Sequence, residues 1–129
     1  MIKLDLKRIT VRPDRSYSGK YLGVQKSGAF VFNFNSSEHL KLSTEVKAVF
    51  FQDQDNKADW YVGFGKDGDY PLFKKDESKG RMSYSFCNSA LRDRFLESYG
   101  LEKKTFRLLV ADNPTIVEEK ELYKVERVV

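Results

Sequence analysis

Gly63-Phe-Gly65-Lys-Asp-Gly68 has the G-x-G-x-x-G spacing in which backbone N–H groups receive a pyrophosphate. That chemistry needs a helix N-terminus directly after the glycines, because the unpaired N–H groups and the helix dipole hold the anion. Asp69-Tyr70-Pro71 follows instead, which adds a carboxylate and an extended segment, so the run reads as a turn. Asp53-Gln-Asp55-Asn-Lys57-Ala58-Asp59 opens like a calcium loop. An EF-hand needs an oxygen ligand where Lys57 stands, glycine where Ala58 stands and a carboxylate where Phe64 stands. All three fail, and a solvated hairpin turn is expected. His39 has no second histidine and lies far in sequence from Cys87, the single cysteine, so the spacing builds neither a zinc site nor a Cys–His nucleophile. No serine sits in a nucleophile elbow. The expectation is a non-enzymatic protein with no cofactor and no metal.

The remaining constellation is basic and aromatic. Lys7-Arg8-Ile-Thr-Val-Arg12-Pro-Asp-Arg15-Ser-Tyr17-Ser-Gly-Lys20-Tyr21 interleaves cations with tyrosines. Cations neutralise phosphates and tyrosine rings stack on unpaired bases, a combination that suits single-stranded nucleic acid. Arg8, Arg12, Arg15, Lys20 and Lys26 are the expected phosphate contacts, with Tyr17 and Tyr21 as stacking platforms. A second cluster, Lys74, Lys75, Lys79 and Arg81, extends the same surface on a hairpin. Net charge is +4, and residues 1–30 hold seven Lys/Arg against Asp5 and Asp14, so the excess sits in the N-terminal quarter. The competing reading is that these cations only solubilise a β-rich surface and protect strand edges. The chain is then a protein-interaction or structural module that forms a homo-oligomer through a sheet edge or a helix. A third reading is a small-molecule pocket inside a bent sheet, lined by Trp60 and the phenylalanines.

The elements that must position these residues are mostly strands. Ile2 to Val11 alternates with a phase slip near Lys7-Arg8, and the polar run to Gly19 is a loop. Tyr21-Leu-Gly-Val24 is a short strand, and Ala29-Phe-Val-Phe-Asn-Phe34 places Phe30, Phe32 and Phe34 on one face. Asn35-Ser-Ser-Glu38 then starts one or two helical turns. Strands are expected over Val46–Phe51, Trp60–Phe64, Tyr70–Phe73, Met82–Phe86, Thr105–Ala111 and Glu121–Val128, with Lys74–Gly80 a charged hairpin loop. Pro71 suggests an edge. Asn88 or Ser89 caps a helix whose apolar stripe is Leu91, Phe95, Leu96 and Tyr99, ending at Gly100.

This order predicts an α+β fold: a strongly bent antiparallel sheet of about seven or eight strands with one main helix, about 88–99, packed on it. The 129 residues are read as one β-rich domain, with residues 1–20 a partly flexible basic arm; ten Phe, seven Tyr and one Trp supply the core. Met1-Ile-Lys-Leu-Asp-Leu-Lys7 alternates charge with apolar side chains and so is no signal peptide, and no later run approaches a membrane span. A cytoplasmic protein with no membrane partner is expected.

Val46 to Gly100, four strands followed by one helix, resembles the repeating unit of the Whirly and PUR type and of the single-stranded-DNA-binding transcriptional coactivators, over under half the chain. The resemblance implies a curved sheet that binds single strands and helices that drive dimerisation. Ser27-Gly28-Ala-Phe-Val31, Leu40-Lys-Leu42 and Val46-Lys-Ala-Val-Phe50 are similar in spacing to the AbrB-type swapped hairpin, with Phe34-Asn35 where that family has a proline.

Overall fold

The computed structural model describes residues 19–78, 80–102 and 105–128. Tyr21–Val24 (β1) and Ala29–Phe32 (β2) form the first hairpin, because Leu22, Val24, Phe30 and Phe32 alternate with outward residues and bury on one face. Gly28 closes its turn at φ +92°, and a Cβ there would lie 2.7 Å from Ser89 Oγ, so the position needs glycine on both counts.

Phe34–His39 (α1) follows at once, one residue earlier than the phenylalanine alternation predicts. Asn33 decides this. Its Oδ1 accepts from Ser36 N as a helix cap and from Tyr21 N, while its Nδ2 donates to the Gly19 carbonyl. A side chain that satisfies three backbone groups outweighs the strand periodicity, and Phe34 leaves the Phe30–Phe32 face.

Lys47–Gln52 (β3), Trp60–Gly65 (β4), Tyr70–Pro71 (β5), Phe73–Ser78 (β6) and Arg81–Cys87 (β7) come next. Ser89–Tyr99 (α2), Phe106–Val110 (β8), Thr115–Val117 (β9) and Lys120–Arg127 (β10) complete the described chain. All ten strands join one antiparallel sheet, ordered β5-β3-β4-β10-β8-β1-β2-β7-β6 with β9 on β10. Only the buried Leu72 separates β5 from β6, so one nearly continuous segment pairs with β3 at one end of the sheet and with β7 at the other. The bend at Leu72 thereby draws the sheet almost into a barrel. Pro71 fits there because β5 has a ladder partner on one side only.

The fold is thus the expected α+β arrangement of a bent sheet with one main helix, with more strands than anticipated. The segment Lys74–Ser78, expected as a loop, is strand β6. An edge strand needs no apolar alternation, so its charges conceal it. Strand β9 lies between the expected strands and is not anticipated by the sequence; it is exposed along its whole length and shows no hydrophobic period.

Helix α2 lies against the concave side. Asn88 Oδ1 accepts from Leu91 N at 2.8 Å, and Gly100 ends the helix at φ +66°. Leu91, Phe95, Leu96 and Tyr99 face the core, as the spacing predicts. Phe95 is fully buried with ring centroids of Trp60 at 4.0 Å, Phe50 at 5.7 Å, Phe30 at 5.8 Å and Phe106 at 6.3 Å. Trp60 Nε1 donates to Ser98 Oγ, which donates to the Phe95 carbonyl, so helix and sheet are also joined by polar contacts. Beside these rings an open cavity of about 420 Å³ remains, lined by Trp60, Phe50, Tyr70, Leu91 and Arg94 among others.

Tyr99 is the exception in this packing. Its buried hydroxyl has no hydrogen-bond partner among the described residues. Burial, then the Asp59 carboxylate, push the phenol up to about 12. The folded pKa exceeds the unfolded one, so this group's stabilising contribution is present below pH ~10 and is lost as pH rises toward 12. Tyr99→Phe is expected to be neutral or up to ~1 kcal/mol stabilising at pH 7, and to flatten the loss of stability above pH 10. Urea midpoints at pH 7 and pH 11 check this.

The β9–β10 hairpin turns through Glu118 at φ 50° and Glu119 at φ 67°. Left-handed angles at both central positions define a type I′ turn, which favours Asn-Gly and strains β-carbon-bearing residues. Replacing Glu118-Glu119 by Asn-Gly is expected to raise stability by ~1 kcal/mol, read as a higher melting temperature.

Candidate nucleic-acid interface

Antiparallel register fixes which side chains share a face. Phe73 of β6 stands opposite Ser85 of β7, Ser85 opposite Val31 of β2, Val31 opposite Gly23 of β1, and Gly23 opposite Arg107 of β8. The five form a row on the convex side, across about 19 Å at the usual strand spacing. Tyr21 and Leu109, a directly opposed pair, extend it at the β1–β8 end, and Lys75 extends it at the β6–β7 end, where the opposite residue, Ser83, is fully buried.

The middle of this face is low. Gly23 has no side chain, Ala29 and Ser85 are small, and a Cβ built at Gly23 would find only the Val31 carbonyl, at 3.8 Å. Two higher ridges flank it. On one side Phe73 is 65% exposed beside exposed Lys75 and Arg81, with the Arg81 guanidinium 5.6 Å from the Phe34 ring centroid. On the other, Arg107 lies 5.0 Å from the Tyr21 ring centroid and Leu109 is 44% exposed. No described side chain on the convex face of β8, β1, β2, β7 and β6 is a carboxylate.

The residues singled out by sequence are distributed unevenly over this surface. Tyr21, Lys75 and Arg81 lie on it. Lys74 pairs with Tyr84 and so belongs to the opposite side of β6. Lys20 is ion-paired with Asp112, and that hydrogen bond, followed by the lysine's charge, holds the Asp112 carboxyl below its usual range. Lys26 is exposed in the β1–β2 turn, at the α2 end, and its carbonyl accepts from buried Arg92. Arg8, Arg12, Arg15, Tyr17 and Lys79 lie outside the described residues, as does the strand expected over Ile2–Val11.

Phe73 and Arg107 were not singled out by sequence reasoning. Each alternates against an inward residue, Leu72 and Phe106 respectively, so its outward direction is readable. That β6 and β8 share one face is not, because it depends on pairings through β7, β2 and β1.

The Asp-rich pattern is the expected turn, whereas in the glycine-spaced run only Lys66-Asp67 turns and the first two glycines lie in a strand. Asp53 Oδ1 accepts from Asp55 N and Asn56 N within the β3–β4 hairpin, and Gly63 and Gly65 belong to β4. Among the described residues no group of three or more His, Cys, Asp or Glu is placed to hold a metal ion, and no helix is long and apolar enough to cross a membrane. No protein family, curated protein or solved structure was found to match the chain.

Proposed function

We propose that this chain binds single-stranded nucleic acid, without catalysis, across the convex face of β8, β1, β2, β7 and β6. The observation that carries this reading is the carboxylate-free row from Phe73 to Arg107, with aromatic rings and guanidinium groups on both ridges of a low floor. Lys75, Arg81 and Arg107 neutralise phosphates. Phe73 and Tyr21 stack on bases, which requires those bases to be unpaired. Lys26, exposed in the β1–β2 turn, is a further phosphate contact in this reading, while Lys20 is held by Asp112 and Lys74 faces the other side of β6; Arg8, Arg12, Arg15, Tyr17 and Lys79 stay contacts expected from the sequence, outside the described residues.

Fluorescence anisotropy with a labelled single-stranded oligonucleotide, at about 50 and 200 mM salt, tests the reading. Three phosphate contacts give a log–log salt slope near −2, so affinity is expected to fall at least ~20-fold between the two conditions. Absence of binding at the lower salt, or affinity indifferent to salt, contradicts it.

The 65% exposure of Phe73 on a sheet-end strand also favours a second reading, a homo-oligomer assembled through β6. Light scattering on a size-exclusion column separates the two, since a monomer at every concentration counts against self-assembly.

A further inference from the structure

Helix α2 leaves one part of the sheet incompletely covered. Between its first two turns, from Asn88 to Arg94, and strands β3, β4 and β5 lies the cavity of about 420 Å³, within the size range of ligand sites. Its apolar walls are preformed. Trp60 and Leu91 are buried and Phe50 and Tyr70 half-buried, and the rings are held from behind, Trp60 stacked on Phe95 at 4.0 Å and Tyr70 on Phe86 at 4.8 Å. The mouth is formed by two exposed residues of α2, the small Ala90 and, one turn on, Arg94. Arg94 forms no ion pair and no hydrogen bond among the described residues, and no residue lining the cavity is acidic. Asn88 caps the helix through Oδ1, which leaves its Nδ2 as a second donor at the cavity.

We infer that this cavity binds a planar, fused-ring aromatic monocarboxylate, at a site separate from the convex face and independent of the nucleic-acid reading. Aromatic walls favour a flat ring over an aliphatic chain, because ring–ring contacts add to the buried area and a rigid ligand has little conformational freedom to lose. The volume admits more than one ring. At the mouth a single unpaired guanidinium matches a single carboxylate, whose two oxygens accept its parallel N–H groups, with Asn88 Nδ2 beside them. The field around the cavity also limits the charge of the ligand. The Asp69 carboxylate does not line the cavity, yet it is near enough to Tyr70 to add to burial in pushing that phenol up, so a doubly charged phosphate would meet this carboxylate with one cation to offset it.

The probe is 2-naphthoate, titrated into the isotope-labelled whole chain and followed by NMR, because Trp60 is the single tryptophan and its indole N–H gives one resonance at the cavity wall. A saturable shift of that resonance, with a Kd of about 0.1–1 mM, is the expected result. Affinity is expected to fall at least fivefold for the neutral 2-naphthamide, for the saturated decalin-2-carboxylate and for Arg94→Gln, and at least tenfold for Ala90→Phe, which fills the mouth. Both replaced side chains are exposed on α2, so both variants are expected to fold. Four outcomes overturn the proposal. The first is no saturable shift at about 10 mM naphthoate. The second is equal affinity of the amide or of Arg94→Gln, which would remove the carboxylate contact. The third is equal affinity of the saturated acid, which would remove the requirement for a flat ring. The fourth is unchanged affinity of Ala90→Phe, which would place the ligand elsewhere.

Discussion

Phe95→Ala is expected to cost about 3–5 kcal/mol, a large part of the stability of a domain this size, and to lower the melting temperature by roughly 10–20 °C. The magnitude follows from where the ring sits. Phe95 is fully buried and lies between Trp60 of β4, Phe50 of β3, Phe30 of β2 and Phe106 of β8, so its removal leaves a cavity bordered by strands far apart in the sheet order. Collapse into that space would require the rings from several strands to move together, and rigid strands relax only partly. Phe95→Leu keeps most of the volume and is expected to cost far less, about 1–1.5 kcal/mol. Thermal and urea unfolding of the two variants, with Phe73→Ala as the exposed control, measures the contrast. The control is expected to stay within about 0.5 kcal/mol of the parent.

That contrast also bears on how the sequence encodes the fold. The hairpins and α2 are local, and their signals are local: alternation in Trp60–Phe64 and Met82–Phe86, Asn88 before the helix and Gly100 after it. The bend at Leu72 is different in kind. It depends on β5 finding β3 and β6 finding β7, pairings to strands that lie on either side of it in sequence, and no window around Leu72 contains that information. Asn33 illustrates a conflict between two local signals, strand phase and capping, that is decided by contacts to Tyr21 and Gly19 twelve or more residues away. The candidate site follows the same pattern. Tyr21, Lys75 and Arg81 are visible as residue types, but the face that collects them with Phe73 and Arg107 exists only once β1 is placed between β2 and β8. Charge density alone also selects Lys20, which Asp112 neutralises, and Lys74, which lies on the other side of its strand.

Gly23→Glu puts the proposed interface to its hardest test. Gly23 stands at the centre of the face, in a strand, at a backbone angle open to any residue, and the nearest atom to its missing Cβ is the Val31 carbonyl oxygen at 3.8 Å. A side chain there displaces nothing, and strand interiors generally favour one over glycine, so stability is expected to change little. The carboxylate, however, lands beside Arg107 on a floor with no other described acidic side chain. It repels phosphate and competes for the guanidinium, while Gly23→Gln adds the same bulk without the charge. The decisive measurement is anisotropy of a single-stranded oligonucleotide at about 50 mM salt against the parent, Gly23→Glu and Gly23→Gln, each shown by circular dichroism to be folded. The account expects Gly23→Glu to weaken binding at least tenfold and Gly23→Gln to weaken it less. Parent-like affinity for a folded Gly23→Glu protein would contradict the assignment of this face.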